Sequence, residues 1–262
     1  MEKSIILRGL GFGAVGGLLS FIFGWLFVEP VINRAIAYED GRGEVQAALD
    51  AAAGVHVHHE GAELFSRFAQ ANAGLALGVI GFGIAMGALF SVAYVVAIGR
   101  VGNLSPRALA LSVAGGLFLV LYVVPFLKFP ANPPAASAEG TIKERTGYFV
   151  LMILVAAIAL AAALWVGQKL TARMDTWSAT LLAAAVFVVL VGLVMAITPG
   201  FVEAPQPLLD ADGKIVYPGF PAHDLYLFRL YSFTTQAIMW ATIGIGFATV
   251  ISRKPVDTPA AV

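Results

Sequence analysis

Six apolar stretches dominate this chain: residues 5–28, 71–98, 108–126, 147–166, 178–197 and 232–251. Each approaches or exceeds the roughly 20 residues with which a helix crosses a bilayer. Backbone polar groups cannot be left unpaired in hydrocarbon, so these stretches are expected as helices. The expected fold class is all-α, a polytopic membrane protein of about six transmembrane helices arranged as three hairpins, forming one integral membrane domain over residues 1–262. Composition agrees, since 59% of residues are hydrophobic and only 12% charged, against roughly 25% charged in soluble domains. The first stretch is long, rich in glycine and lacks an Ala-x-Ala exit before Glu29-Pro30, so it is read as a retained helix rather than a signal peptide.

Charge placement gives an orientation. The N-terminus, the short connections 99–107 and 167–177, and the tail 252–262 hold Lys3, Arg8, Arg100, Arg107, Lys169, Arg173, Arg253 and Lys254 against Glu2, Asp175 and Asp257. By the positive-inside rule these segments, and both termini, are expected in the cytoplasm. The three long connections lie outside. Each follows a proline (Pro30, Pro125, Pro199) expected near the end of an odd-numbered helix, and each leads through an aromatic amphipathic run into the next helix. With 16 basic and 16 acidic residues there is no electrostatic case for a nucleic-acid partner; membrane lipids are the partners the composition demands. Small residues at fourfold spacing (Gly9, Gly13, Gly17; Gly16, Ser20, Gly24; Gly74, Gly78; Gly83, Gly87) are expected to pack helix one against helix two.

The chemistry concentrates in the first long connection, residues 29–70. Three of the four histidines fall within four positions, in Val55-His56-Val57-His58-His59-Glu60-Gly61-Ala62-Glu63. Imidazole nitrogen and carboxylate oxygen suit divalent cobalt, nickel or zinc, so His56, His58, His59, Glu60 and Glu63 are the candidate metal ligands. A helical conformation would align His56, His59 and Glu63 on one face; an extended one would pair His56 with His58. Both remain open. The alanine-rich flank 46–54 reads as a tether. Neutral imidazoles bind metal and release it on protonation near a reference pKa of about 6.5, so acid should weaken capture. A candidate polar vestibule lies beside the cluster, with Glu29, Asn33 and Arg34 at the end of helix one and Arg67, Gln70 and Asn72 at the start of helix two. Ordinary capping and interfacial snorkelling would explain the same residues.

Other motifs fail on context. Gly11-x-Gly13-x-x-Gly16 follows no strand and lies in a span. His59-Glu60-Gly61-Ala62-Glu63 lacks the second histidine of a zinc-protease helix. The run 209–214 starts like a calcium loop without its closing glutamate, and reads instead as an Asp-Gly turn joining Pro207-Leu208-Leu209 to Ile215-Val216-Tyr217. His223-Asp224 reads as a helix start. No catalytic residue, cofactor-binding residue or enzymatic activity is expected. Cysteine is absent, which removes thiolate sites.

Three features together resemble the CbtA family of cobalt transporter subunits: Glu29-Pro-Val-Ile-Asn-Arg-Ala-Ile-Ala-Tyr-Glu39, the histidine-rich loop, and Pro125-Phe-Leu-Lys-Phe-Pro-Ala-Asn-Pro-Pro134 followed by Arg145-Thr146. The resemblance implies a multi-pass protein of the bacterial inner membrane, tied to cobalamin metabolism and working with a small single-span CbtB-like partner. It implies no resident cofactor, the divalent metal ion being cargo. Residues and resemblance give two expected functions: a subunit of a divalent-cation importer, cobalt first, whose outer His/Glu loop captures the ion, or a non-transporting subunit that captures metal and passes it to a partner permease.

Overall fold

The computed structural model describes residues 2–54, 66–102, 104–134, 136, 142–201 and 204–251. Among them, six helices are long and apolar enough to cross a membrane: Lys3–Ala52, Arg67–Ala97, Pro106–Lys128, Ile142–Leu170, Thr176–Ile197 and Ala222–Ile251. The chain is therefore an α-helical multi-pass membrane protein. Strand is confined, among the described residues, to one small hairpin.

Three of these helices are interrupted by a π-helical turn. Helix α1 (Glu2–Phe23) runs through a π turn (Gly24–Val28) into α2 (Glu29–Ala52); a short α3 (Arg67–Ala69) runs through another (Gln70–Gly74) into α4 (Leu75–Ala97); α5 (Pro106–Phe118) runs through a third (Leu119–Val123) into α6 (Val124–Lys128). The remaining helices, α7 (Ile142–Leu170), α8 (Thr176–Ile197) and α9 (Ala222–Ile251), are uninterrupted. Pro30 and Pro125 each stand two residues past a π turn. A proline in a helix lacks one N–H and crowds the carbonyl four residues back; the wider π turn leaves room at that carbonyl, and the helix continues.

The first connection therefore differs from expectation. Residues 29–52 are helix rather than loop, and the first helical run spans 50 residues, about 75 Å at 1.5 Å per residue. Hydrocarbon accounts for roughly 30 Å of that, so α2 projects well beyond the bundle. The expected tether at 46–54 is helical through Ala52, with Gln46 Nε2 donating to Asp50 Oδ1 at 2.8 Å. Pro30 does not end the helix.

The projecting helix is fastened by the third long connection. Val31, Ala35 and Tyr38, spaced as one helical stripe, are buried. The Tyr38 ring packs on Tyr217 and Phe220 at centroid distances of 5.4 and 5.0 Å, and its hydroxyl donates to Pro218 O at 3.0 Å. In return Tyr217 Oη donates to Tyr38 O, and Arg42 Nη1 to Gln206 O. Tyr217 ends an antiparallel hairpin of β1 (Leu208–Leu209) and β2 (Ile215–Tyr217). Asp210 Oδ1 accepts from Asp212 N and Lys214 N, and Gly213 adopts φ +78°, a left-handed conformation cheap only for glycine. This is the turn expected from the Asp-Gly pair.

In the membrane region α1 lies antiparallel to α4 and α9. A Cβ at Gly13 would overlap Gly83 O, and one at Gly87 would overlap Gly9 O, so the two backbones touch as small-residue packing allows. The second stripe behaves differently from expectation. Gly16 faces Met239 of α9, and Ser20 Oγ donates to Thr235 O at 2.9 Å, so it packs helix one against the last helix. Gly24 and Gly78 have no neighbour at the Cβ position, and Gly74 has only Ala69 O of its own helix. One core, centred on Phe90, Met239, Ile243 and Phe247, joins α1, α4, α5 and α9; another, on Val124, Met152, Ala156 and Val191, joins α6, α7 and α8.

Candidate functional site

At the end of the bundle where α2 projects, α3 lies against the first helix. Ser66 caps α3, its Oγ accepting from Ala69 N at 3.3 Å. That cap fixes the first turn, and Arg67 in that turn donates through Nη2 to Glu29 Oε1. Glu29 is the first residue of α2 and only 7% exposed. A carboxylate this buried is tenable because a guanidinium neutralises it. Arg67 Nε is buried without a hydrogen-bond partner.

Two π turns meet beside this pair. Trp25 Nε1, in the turn after α1, donates to Asn72 Oδ1 at 3.2 Å, in the turn before α4; Asn72 Nδ2 donates to Phe68 O at 2.8 Å. π turns inside α-helices recur at functional sites. Of the expected vestibule, Glu29, Arg67 and Asn72 thus gather at one junction. Arg34 turns away to Asp224 at the start of α9 (2.8 Å) and to Pro30 O; at 47% side-chain exposure this surface pair adds little stability. Asn33 and Gln70 are exposed. His223 is exposed on the first turn of α9.

His56, His58, His59, Glu60 and Glu63 lie outside the described residues. Their described neighbours are Gly54, past the tip of α2, and Ser66, beside the Glu29–Arg67 pair. Among the described residues no group of three or more His, Asp or Glu side chains could hold a metal ion.

A second polar cluster at the same end escaped the sequence reading. Arg229 Nη2 donates to Asn132 Oδ1 at 2.8 Å and Arg145 Nη2 to Pro130 O at 3.4 Å. A cleft of about 380 Å³ beside them is lined by Tyr122, Phe126, Phe129, Asn132, Arg145 and Phe149, among others. Its signal was the proline-rich turn 125–134, whose Asn132 appeared merely polar. It offers guanidinium and aromatic groups where a cation would need carboxylates.

The family described as probable cobalt transporter subunit (CbtA) matches residues 2–252. No curated protein and no solved structure matches the chain.

Proposed function

The chain belongs to the CbtA family of probable cobalt transporter subunits, and from that membership we propose that it serves a divalent-cation importer, with cobalt as cargo, in the bacterial inner membrane. His56, His58, His59, Glu60 and Glu63 capture the ion on the extracytoplasmic side, and the junction of Glu29, Arg67 and Asn72 receives it. The supporting observation is the placement of that junction: two π turns and the buried Glu29–Arg67 pair stand where the histidine segment rejoins the bundle. Arg67 is the first helical residue after the segment. Its pairing with Glu29 ties the first helical turn after the segment to the first helix. The captured metal is cargo for cobalamin-related metabolism, no resident cofactor is required, and the chain does no enzymatic chemistry.

The sparse polar lining of the spans favours a division of labour, in which this chain captures metal and a partner completes the crossing. Ser20 and Ser91, buried in the spans, donate to Thr235 O and to Gly87 O, so both hydroxyls serve helix packing. A small single-span CbtB-like protein is the proposed partner. Whole-cell elemental analysis of a strain expressing this chain with and without that partner, offered cobalt, nickel and zinc together, tests both points. Preferential cobalt accumulation only with both proteins supports the reading. Equal accumulation of the three metals, or none above an empty vector, would contradict it.

A further inference from the structure

The opposite end of the molecule carries two apolar grooves that the capture function does not use. One, of about 620 Å³, lies between α4, α5 and α7; the other, of about 530 Å³, lies between α7, α8 and the connection after α4. Both are lined by Val101, Leu160 and Leu164, so they meet along α7. Their cause is visible in the sequence. Ala93, Ala97, Gly116, Ala157 and Ala161 face the first groove, and side chains this small leave the space between the helices open. The grooves are open at the molecular surface, and in a bilayer the material at hand to fill them is hydrocarbon.

The groove mouths are polar and basic. Arg100 lines the first and Gln168 the second, and Gln168 Nε2 donates to Arg100 O at 2.8 Å, so the two mouths are joined. Arg100 Nη1 donates to Val96 O at 2.6 Å; a guanidinium has five N–H donors and can serve a second partner in fork geometry. The two short connections add Arg107, Lys169 and Arg173, against Asp175 alone. Asp175 is committed as a helix cap, accepting from Ser178 N at 2.9 Å. Trp165 and Trp177, 62% and 73% exposed, mark the same level as a membrane interface.

We propose that this end holds one anionic glycerophospholipid, its phosphate on Arg100 and Gln168 and its two acyl chains in the two grooves. Two tails under one charged head match two apolar grooves under one basic mouth. A basic pocket between helices at an interface is the arrangement that recognises anionic headgroups. A further apolar helix would fill only the hydrocarbon part and leave Arg100 without an anionic partner.

Native mass spectrometry of the full chain, purified into detergent with equal amounts of phosphatidylglycerol and phosphatidylcholine, tests the site. The expected wild-type result is one retained lipid with about tenfold preference for the anionic headgroup. Arg100→Gln should abolish that preference, and Ala161→Phe should remove the retained lipid by occupying the groove. Ala161 is exposed, so the larger side chain is tolerated by the fold. Arg34→Gln, at the far end, should change nothing. Identical lipid retention and preference in the wild type, Arg100→Gln and Ala161→Phe would overturn the proposal. So would photocrosslinking from position 161 that captures a polypeptide in place of lipid.

Discussion

At the α2 end of the molecule three helices are broken by π turns, a carboxylate is buried against an arginine, and a long helix projects to meet a β-hairpin. At the short-connection end helices begin at side-chain caps, Ser105 before α5 and Asp175 before α8, and Asp175 is outnumbered by Arg100, Arg107, Lys169 and Arg173. The contrast teaches where adaptability resides. Regular helices with capped ends suit a fixed scaffold in lipid, whereas π turns and a compensated buried charge are costly features that persist where a chain handles a ligand.

Removing charge compensation at the α2 end should give the largest effect on stability. Arg67→Ala leaves the Glu29 carboxylate buried and unpaired, and a loss of about 3 kcal/mol is expected, read as a lowered thermal midpoint of the purified protein. Adding Glu29→Gln should recover most of it, because the double variant buries no charge. A double variant no more stable than Arg67→Ala would show that the pair is a surface contact and erase the contrast.

A smaller effect is expected where the projecting helix meets the hairpin. Tyr38→Phe keeps the rings packed but deletes the hydrogen bond to Pro218 O, costing about 1 kcal/mol. Hydrogen exchange should then accelerate over residues 208–217 and stay unchanged in α4 and α9.

The smallest effect belongs to the short-connection end. The Ser178 backbone N–H, aided by the Ser178 side chain, holds the Asp175 carboxyl below the usual carboxylate range. A depressed folded pKa contributes stability above the unfolded value of about 3.9 and loses it as pH falls through the folded value. Asp175→Asn should thus differ slightly from wild type at neutral pH, with the difference closing in strong acid and constant between about pH 5 and 8. A difference that grows on acidification would reverse the assignment.

The six spans were legible because apolar length and backbone satisfaction in lipid leave one solution, and the Asp-Gly turn because only glycine takes its φ cheaply. The projecting helix was not read, because Pro30 looked like a stop. The competing signal was present in the buried stripe Val31, Ala35, Tyr38 and in the helix-forming run 46–52, but the π turn that lets Pro30 pass leaves no mark in composition. The Glu29–Arg67 junction was half visible: both residues were singled out, and Arg34, with the same charge at the same boundary, could not be told apart from its neighbour. Their separation follows from helical phase, which turns Glu29 toward α3 and Arg34 toward Asp224 of α9. Arg229 and Asn132 belong to distant segments, and pairing across 97 residues has no local signature.

Cobalt accumulation per cell, measured at neutral pH in a strain lacking other cobalt importers and expressing the chain with its partner, tests most directly whether capture belongs to the α2 end. Replacing His56, His58 and His59 together by alanine should reduce accumulation to the level of cells without the protein, while Arg100→Gln at the opposite end should leave the captured metal unchanged. Full accumulation by the triple variant would contradict the account.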